Sequence, residues 1–302
     1  MPASATPRVV VVSRATEYSA LVARHGTRDQ ARFFLEQRGR SIEPLEERHA
    51  RQTSALTTVG AAIPVEWRRA SVLRSDLDRF LFEPIDIIVT VGQSGLVANV
   101  AKYLYGQPVI GVSPDPALDG AVLAPHDAAD AGALMRAAAR GSAPVSERTM
   151  VEARLDDGQR VLALNEVFIG HASHQSARYL IRRAEISEHQ SSSGIVVTTG
   201  TGATGWGASI SRERGAPLEL APEDPRLCFF VREAWPSPTF GTSLTAGMIE
   251  AGQELQIVSE LDEGGVLFGD GIESDRLAFR WGLAATVRAA PERLRLVQAT
   301  EA

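Results

Sequence analysis

The sequence predicts an N-terminal α/β domain with a parallel sheet, followed by a β-rich, sandwich-like domain. Two patterns carry this. In the first half, short β-branched runs of the kind buried on both faces of a sheet alternate with stretches of helical spacing. After Gly141-Ser142-Ala143-Pro144 the apolar period shortens to two, and turn residues separate the segments. The expected boundary lies near residue 145, with domains over 1–145 and 146–302.

Arg8–Ser13 is the first strand, and Thr27 with Gln30 three residues later fits a capping box opening a helix over Arg28–Arg38. A further helix starts after Pro44. Asp86–Val91 is a second buried strand, ending in Gly92-Gln93-Ser94-Gly95, and Leu96–Tyr105 has helical spacing. Pro108–Val112 is a third strand, followed by a Pro/Asp/Gly loop and an alanine-rich helix near Ala128–Arg140. Strand and helix in alternation imply a parallel sheet with helices on its faces. Downstream, Met150–Leu155, Arg160–Ile169 and Arg178–Ile186 read as strands, and Asp157-Gly158 reads as a hairpin turn. Leu227–Arg232, Glu254–Val258, Val266–Phe268 and Leu277–Trp281 continue the β habit, with a turn at Asp270-Gly271.

Composition narrows the function classes. The chain has 302 residues, 44% hydrophobic and 23% charged, an ordinary globular balance. A net charge of -6 argues against a general nucleic-acid or anionic-membrane surface but leaves room for a local basic pocket. No run approaches the roughly 18 apolar residues of a membrane span, and the first residues lack the pattern of a signal peptide. Cys228, alone in an apolar run, reads as a buried, inert thiol, which places the chain in a reducing, cytoplasmic compartment.

Three segments carry the candidate chemistry. Gly92-Gln93-Ser94-Gly95, between a buried strand and a helix, is either a loop whose amides face an anion or a tight turn that needs glycine for its backbone. Asn165-Glu166 breaks the apolar pattern of its strand, so the pair is satisfied by a ligand or lies at a sheet edge. Thr198-Thr199-Gly200-Thr201-Gly202-Ala203-Thr204-Gly205-Trp206 contains GxGxxG, a weak match without a βαβ unit after it. Its hydroxyls suit phosphate or ribose and Trp206 suits a planar base; the alternative is a hydroxyl-rich helix cap with a core tryptophan. No glycine-rich loop ending in Lys-Ser or Lys-Thr exists, which excludes a P-loop kinase.

In order and spacing these three segments resemble the NAD kinase family. Its members carry GGDG after a buried strand, then an Asn-Glu or Asn-Asp pair, then a TPTGSTAY-like stretch. The strands around the first segment and the Asp270-Gly271 turn also look like the family, whereas residues 14–80 are the least similar. The resemblance implies that NAD, bound between the two domains, is phosphorylated on its adenosine-ribose 2′-hydroxyl by ATP, or by polyphosphate in some members, with Mg²⁺. It further implies that Gly92, Gln93, Ser94 and Gly95 line the phosphate and ribose site. Asn165 and Glu166 would hold NAD hydroxyls, and Thr201, Gly202, Thr204 and Trp206 the adenosine side. A homo-oligomer is expected on the same ground.

Three departures matter. Gln93 replaces a glycine, Gly200 and Ala203 replace a proline and a serine, and Ser94 stands where the family has its catalytic aspartate. A serine cannot take up a proton near neutral pH, and losing a general base forfeits about 10² to 10⁴ in rate. Phosphoryl transfer depends chiefly on positioning and electrostatics, so a slow kinase survives on this reading. So do a non-catalytic NAD(P)- or nucleotide-binding protein and a kinase for another hydroxyl, such as a sugar or nucleoside. Among weaker features, His171 and His174 form a metal pair or substitute base, or neither. Asp115 and Asp119 read as turn residues before ligands, and Arg182-Arg183 as a solvated face. Ser243 and Ser191–Ser193 lack the setting of a hydrolase nucleophile.

Overall fold

A computed structural model of the chain describes residues 6–115 and 122–298. The chain divides into two compact units, one running to Ser146 and taking in the chain end from Arg295, the other spanning Glu147–Leu294.

In the first unit the order is β1 (Arg8–Ser13), α1 (Glu17–His25), α2 (Arg28–Glu36), α3 (Glu43–Ala62), β2 (Arg68–Leu73), β3 (Asp86–Val91), α4 (Ser94–Ala101), β4 (Pro108–Val112) and α5 (Ala131–Ala139). The strands are parallel in the order β2-β1-β3-β4, and Arg295-Leu296 pair in parallel with β4. The chain runs from β1 outward to β2 and returns on the other side of β1 as β3. That reversal makes the carboxyl ends of β1 and β3 a topological switch point, where open α/β sheets hold their ligands. All six β3 residues are buried, as the apolar run requires. Ala55 and Val59 of α3 and Ala131, Leu134 and Met135 of α5 share one core with Val9, Val11, Ile87 and Val89 of the sheet.

Thr27 caps α2 as the capping box predicts, its hydroxyl accepting the Gln30 N–H at 3.2 Å. The helix expected over Leu96–Tyr105 is shorter: the N–H groups of Tyr103 and Leu104 turn back to Val100 and Ala101, and Gly106 at φ +94° ends the segment. The strand β2 went unread because its exposed arginines hide the pattern.

The second unit holds two antiparallel sheets. Its elements are β5 (Val145–Leu155, whose first two residues belong to the first unit), β6 (Arg160–Ala163), β7 (Glu166–His171), β8 (Ala177–Arg183), β9 (Ile186–Ser192), β10 (Ile195–Thr198), α6 (Trp206–Glu213), β11 (Leu227–Val231), β12 (Ala246–Ile249), β13 (Leu255–Ser259), β14 (Gly265–Gly269), β15 (Leu277–Ala278) and β16 (Ala284–Val297). One sheet runs β12-β11-β10-β7-β14-β15; in the other, β16, β13, β8 and β9 are neighbours and β5 pairs with β6 and β16. The two-residue period shows in the packing. Val167 and Ile169 enter a core shared with Tyr179, Ile181 and Ile257 of the other sheet, whereas Phe168 faces the opposite way onto Ile210 of α6. The predicted sandwich is therefore present, with α6 covering one outer face. The run expected as a strand over Arg160–Ile169 is broken at Leu164-Asn165, and that break builds the site described next. Ile186 opens β9 after a turn at Ala184 (φ +49°) instead of ending β8. Among the described residues no helix is long and apolar enough to cross a membrane.

Candidate functional site

The break between β6 and β7 exists because a carboxylate captures the backbone there. Asp270, in the turn after β14 at φ +52°, accepts the N–H groups of Leu164 (2.8 Å), Asn165 (2.7 Å) and Glu166 (3.3 Å). Its own N–H donates to the Glu166 carbonyl at 3.0 Å. From the other side the threonines hold the same stretch. The Thr199 N–H and the Thr198 hydroxyl donate to the Asn165 carbonyl at 2.9 and 3.2 Å, and the Thr199 hydroxyl donates to the Leu164 carbonyl at 2.6 Å. The Thr199 hydroxyl also accepts the N–H groups of Thr201 and Gly202. A Cβ on Gly202 would run into the Asn165 carbonyl oxygen and the Thr198 hydroxyl, so only glycine lets these loops approach. Gly200 packs on the Ala221 carbonyl in the same way, which is why a side chain is lacking where the resemblance has proline.

With the backbone so fixed, the polar groups left over are informative. Neither the Asn165 nor the Glu166 side chain makes a hydrogen bond among the described residues, and both are only half-buried. The Thr201 hydroxyl is buried and has no hydrogen-bond partner among the described residues. Burial, and then the Asp270 charge, push the Glu166 carboxyl from its ordinary 4.5 up to about 7. An unpaired buried hydroxyl costs about 1–3 kcal/mol, so a group left in this state is one that a bound ligand can satisfy.

The other predicted residues are placed as follows. Thr198, Thr199 and Thr204 spend their hydroxyls on backbone carbonyls, Thr204 on that of Thr201 at 3.0 Å. Trp206, half-buried at the start of α6, stacks on Phe168 (5.8 Å between centroids, 21°) and has the Arg232 guanidinium 5.3 Å from its ring. Its ring therefore belongs to the packing of α6 as much as to a ligand. The His171 ring nitrogen Nδ1 accepts the Ser173 N–H at 3.0 Å, and His174 is exposed. Cys228 is buried, its thiol pushed up to about 11 chiefly by burial. Ser192 bonds to the Tyr179 hydroxyl at 2.6 Å in the interior.

In the first unit, Gly92 closes β3 with its N–H on the Val112 carbonyl at 2.9 Å. Gln93 occupies the N-cap position of α4 without a side-chain capping bond and is exposed, Ser94 is the first helical residue, and Gly95 has open space where a side chain would stand. The Ser94 hydroxyl accepts the Leu123 N–H at 3.2 Å, so it tethers the loop after β4 and remains half-exposed. Asp115 pairs with Arg51 at 2.9 Å; Asp119 lies outside the described residues. Sequence reasoning missed Asp270 as a site residue and missed Arg14, Arg48 and Arg51, which border Gly92 and Gln93. The signals were present: an Asp-Gly turn two residues beyond an apolar strand, a basic residue directly after β1, and arginines three apart on α3.

One unit carries a parallel sheet in the order β2-β1-β3-β4 with a glycine turn after β3, and the other carries two antiparallel sheets. Two solved structures share this architecture. Yeast NADH kinase complexed with NADH superposes with a TM-score of 0.62 at 12% identity, over 98% of this chain and 84% of the other. An NAD kinase from Archaeoglobus fulgidus in complex with ATP gives 0.56 at 15% identity, over 96% and 93%. At these identities the likeness is one of fold. No protein-family model and no curated protein sequence matches the chain.

Proposed function

We propose that the protein is an NAD kinase-like phosphotransferase that transfers the γ-phosphoryl group of ATP to the adenosine-ribose 2′-hydroxyl of NAD. The observation that carries this is the set of polar groups without a hydrogen bond among the described residues, the half-buried Asn165 and Glu166 side chains and the buried Thr201 hydroxyl, held on a backbone braced by Asp270 and Thr199. Asn165 and Glu166 suit the hydroxyls of a ribose, which both donate and accept. The two structural relatives are complexed with NADH and with ATP, which fits an acceptor dinucleotide and a nucleotide donor.

In the reaction the 2′-oxygen bonds to the γ-phosphorus, the bond to the β–γ bridging oxygen breaks, ADP leaves, and the hydroxyl proton passes to solvent. Ser94, which stands where the resemblance has its general base, cannot accept that proton, so catalysis rests on positioning and charge stabilisation and is slow. Among the described residues no group of three His, Cys, Asp or Glu side chains is arranged to hold a metal ion. Magnesium would be held as a companion of the donor's phosphates with one or two carboxylates, its usual mode, and Asp115 and Glu17 are the carboxylates beside Gly92 and Gln93. When bound it neutralises charge on the phosphate chain. The position of Ser94 favours a second reading, a dinucleotide-binding protein without turnover. Incubation of purified protein with NAD, ATP and magnesium, followed by a NADP-specific dehydrogenase assay, separates the two. The first reading expects slow NADP formation; none above background, with NAD binding retained in calorimetry, supports the second.

A further inference from the structure

The helix pair α1–α2 buries one face and leaves the other in water. Tyr18, Leu21 and Val22 of α1 and Ala31 and Leu35 of α2 pack with Ile42 and Leu45 in a small core of their own. On the opposite side Phe33 keeps 62% of its surface exposed. With Phe34 and Arg38 of the same segment, and Arg24 and His25 from the last turn of α1, it lines a groove of about 660 Å³. The groove lies at the far end of α1 from Thr16 and Glu17 and shares no lining residue with the surroundings of Gly92 and Gln93.

We propose that this groove docks a short acidic segment of a partner protein, anchored by a tyrosine. Charge decides the sign of the partner. The carboxylates of the two helices are already engaged: Asp29 faces Arg28 at 3.8 Å and Arg32 at 3.4 Å, Glu36 faces Arg32 at 3.8 Å, and Glu17 pairs with Arg48 at 2.9 Å. Arg24 and Arg38 have no ion-pair partner among the described residues. The Arg38 guanidinium lies 3.8 Å from the Phe34 ring centroid and donates to the Phe34 carbonyl at 3.0 Å, which fixes it at the rim with donors to spare. Carboxylates on either side of an anchor would meet Arg24 and Arg38 in charge-assisted bonds. The floor decides the anchor. Phe33 offers an uncovered ring, and the His25 ring lies 4.3 Å from Phe34 with its Nε2 buried and without a hydrogen-bond partner. A phenol packs on the one and, because its hydroxyl both donates and accepts, satisfies the other in either tautomer. Exposed aromatic and arginine side chains together are the composition that interface centres favour. Two free guanidinium groups on a chain of net charge -6 are too few for a nucleic-acid backbone or an anionic membrane. A small ligand would gain little from Phe33, which stands mostly in water, whereas a chain segment laid along α2 covers it. The docking site does not rest on the kinase reading.

The test is fluorescence anisotropy of the full chain with a fluorescein-labelled Asp-Glu-Tyr-Glu-Asp peptide and with its Asn-Gln-Tyr-Gln-Asn counterpart. The acidic peptide is expected to bind, more weakly as salt rises, and the amide peptide about tenfold more weakly or worse. Phe33→Ser and Arg24→Gln, both at exposed positions, each weaken binding of the acidic peptide about tenfold. Asp29→Asn removes the carboxylate that lines the groove and tightens binding several-fold, an outcome that misfolding cannot imitate. Absence of binding by the wild type, equal affinity for the two peptides, or an affinity unchanged by Phe33→Ser overturns the site. So does a dimer of the peptide-free protein in sedimentation velocity that Phe33→Ser dissolves, because the groove then belongs to a second copy of the chain.

Discussion

Replacing Glu166 by glutamine separates what that residue does for stability from what it does for ligand. In the folded chain its carboxyl titrates at about 7 instead of 4.5, first because it is removed from water and second because Asp270 is close. Below pH 4.5 the group is protonated in both folded and unfolded chains and carries no penalty. Between 4.5 and 7 the unfolded chain ionises while the folded chain keeps its proton, so stability falls as pH rises. Above 7 the loss is complete. At about 1.4 kcal/mol per tenfold change in affinity for the proton, the ceiling is about 3 kcal/mol. Contact of the half-buried side chain with water reduces this to about 1–2 kcal/mol. Urea unfolding of wild type and Glu166→Gln at pH 5 and pH 8.5 reads the difference. The variant is expected to be more stable by about 1–2 kcal/mol at pH 8.5 and by less than about 1 kcal/mol at pH 5, where the unfolded chain is only partly ionised, with NAD affinity reduced at both. A variant less stable than wild type at pH 8.5 would instead show that the carboxylate is satisfied within the fold and carries no burial penalty.

Three further outcomes follow from the same cluster. Thr201→Val removes a buried unpaired hydroxyl, and is expected to raise stability by about 1 kcal/mol while weakening NAD binding about tenfold in calorimetry. A loss of stability would show that the hydroxyl has a partner. Asp270→Asn weakens the acceptor of three N–H groups and is expected to cost about 1.5–3 kcal/mol at both pH values in urea unfolding. Gly202→Ala forces a Cβ onto the Asn165 carbonyl and is expected to destabilise by about 1–3 kcal/mol or more; a change under about 0.5 kcal/mol would show that the loop gives way.

Much of the fold is legible because its strands are either buried on both faces or alternate strictly. Arg8–Ser13, Asp86–Val91 and Pro108–Val112 show as continuous apolar runs, and the sandwich shows in its two-residue period. What resists reading is decided by long-range partners. Leu164-Asn165 lie inside a stretch that reads as one strand, yet the Asp270 carboxylate, more than a hundred residues on, breaks the strand there. Trp206 in a hydroxyl-rich loop suggests a stacking platform, but Phe168 and Arg232 already lie against its ring. Arg14, Arg48 and Arg51 share a cavity only through the packing of α3 beside the end of β1, which no local pattern encodes. Ser94 is plain in the sequence, and its bond to the Leu123 N–H is not.

Ser94 is also where the account is tested most directly. Formation of NADP from NAD and magnesium ATP is measured for wild type and for Ser94→Asp. The aspartate can still accept the Leu123 N–H and adds a proton acceptor at the start of α4. Slow turnover by the wild type and a rise of about 10² to 10⁴ in the variant are expected. A folded Ser94→Asp protein that forms NADP no faster than the wild type would contradict it.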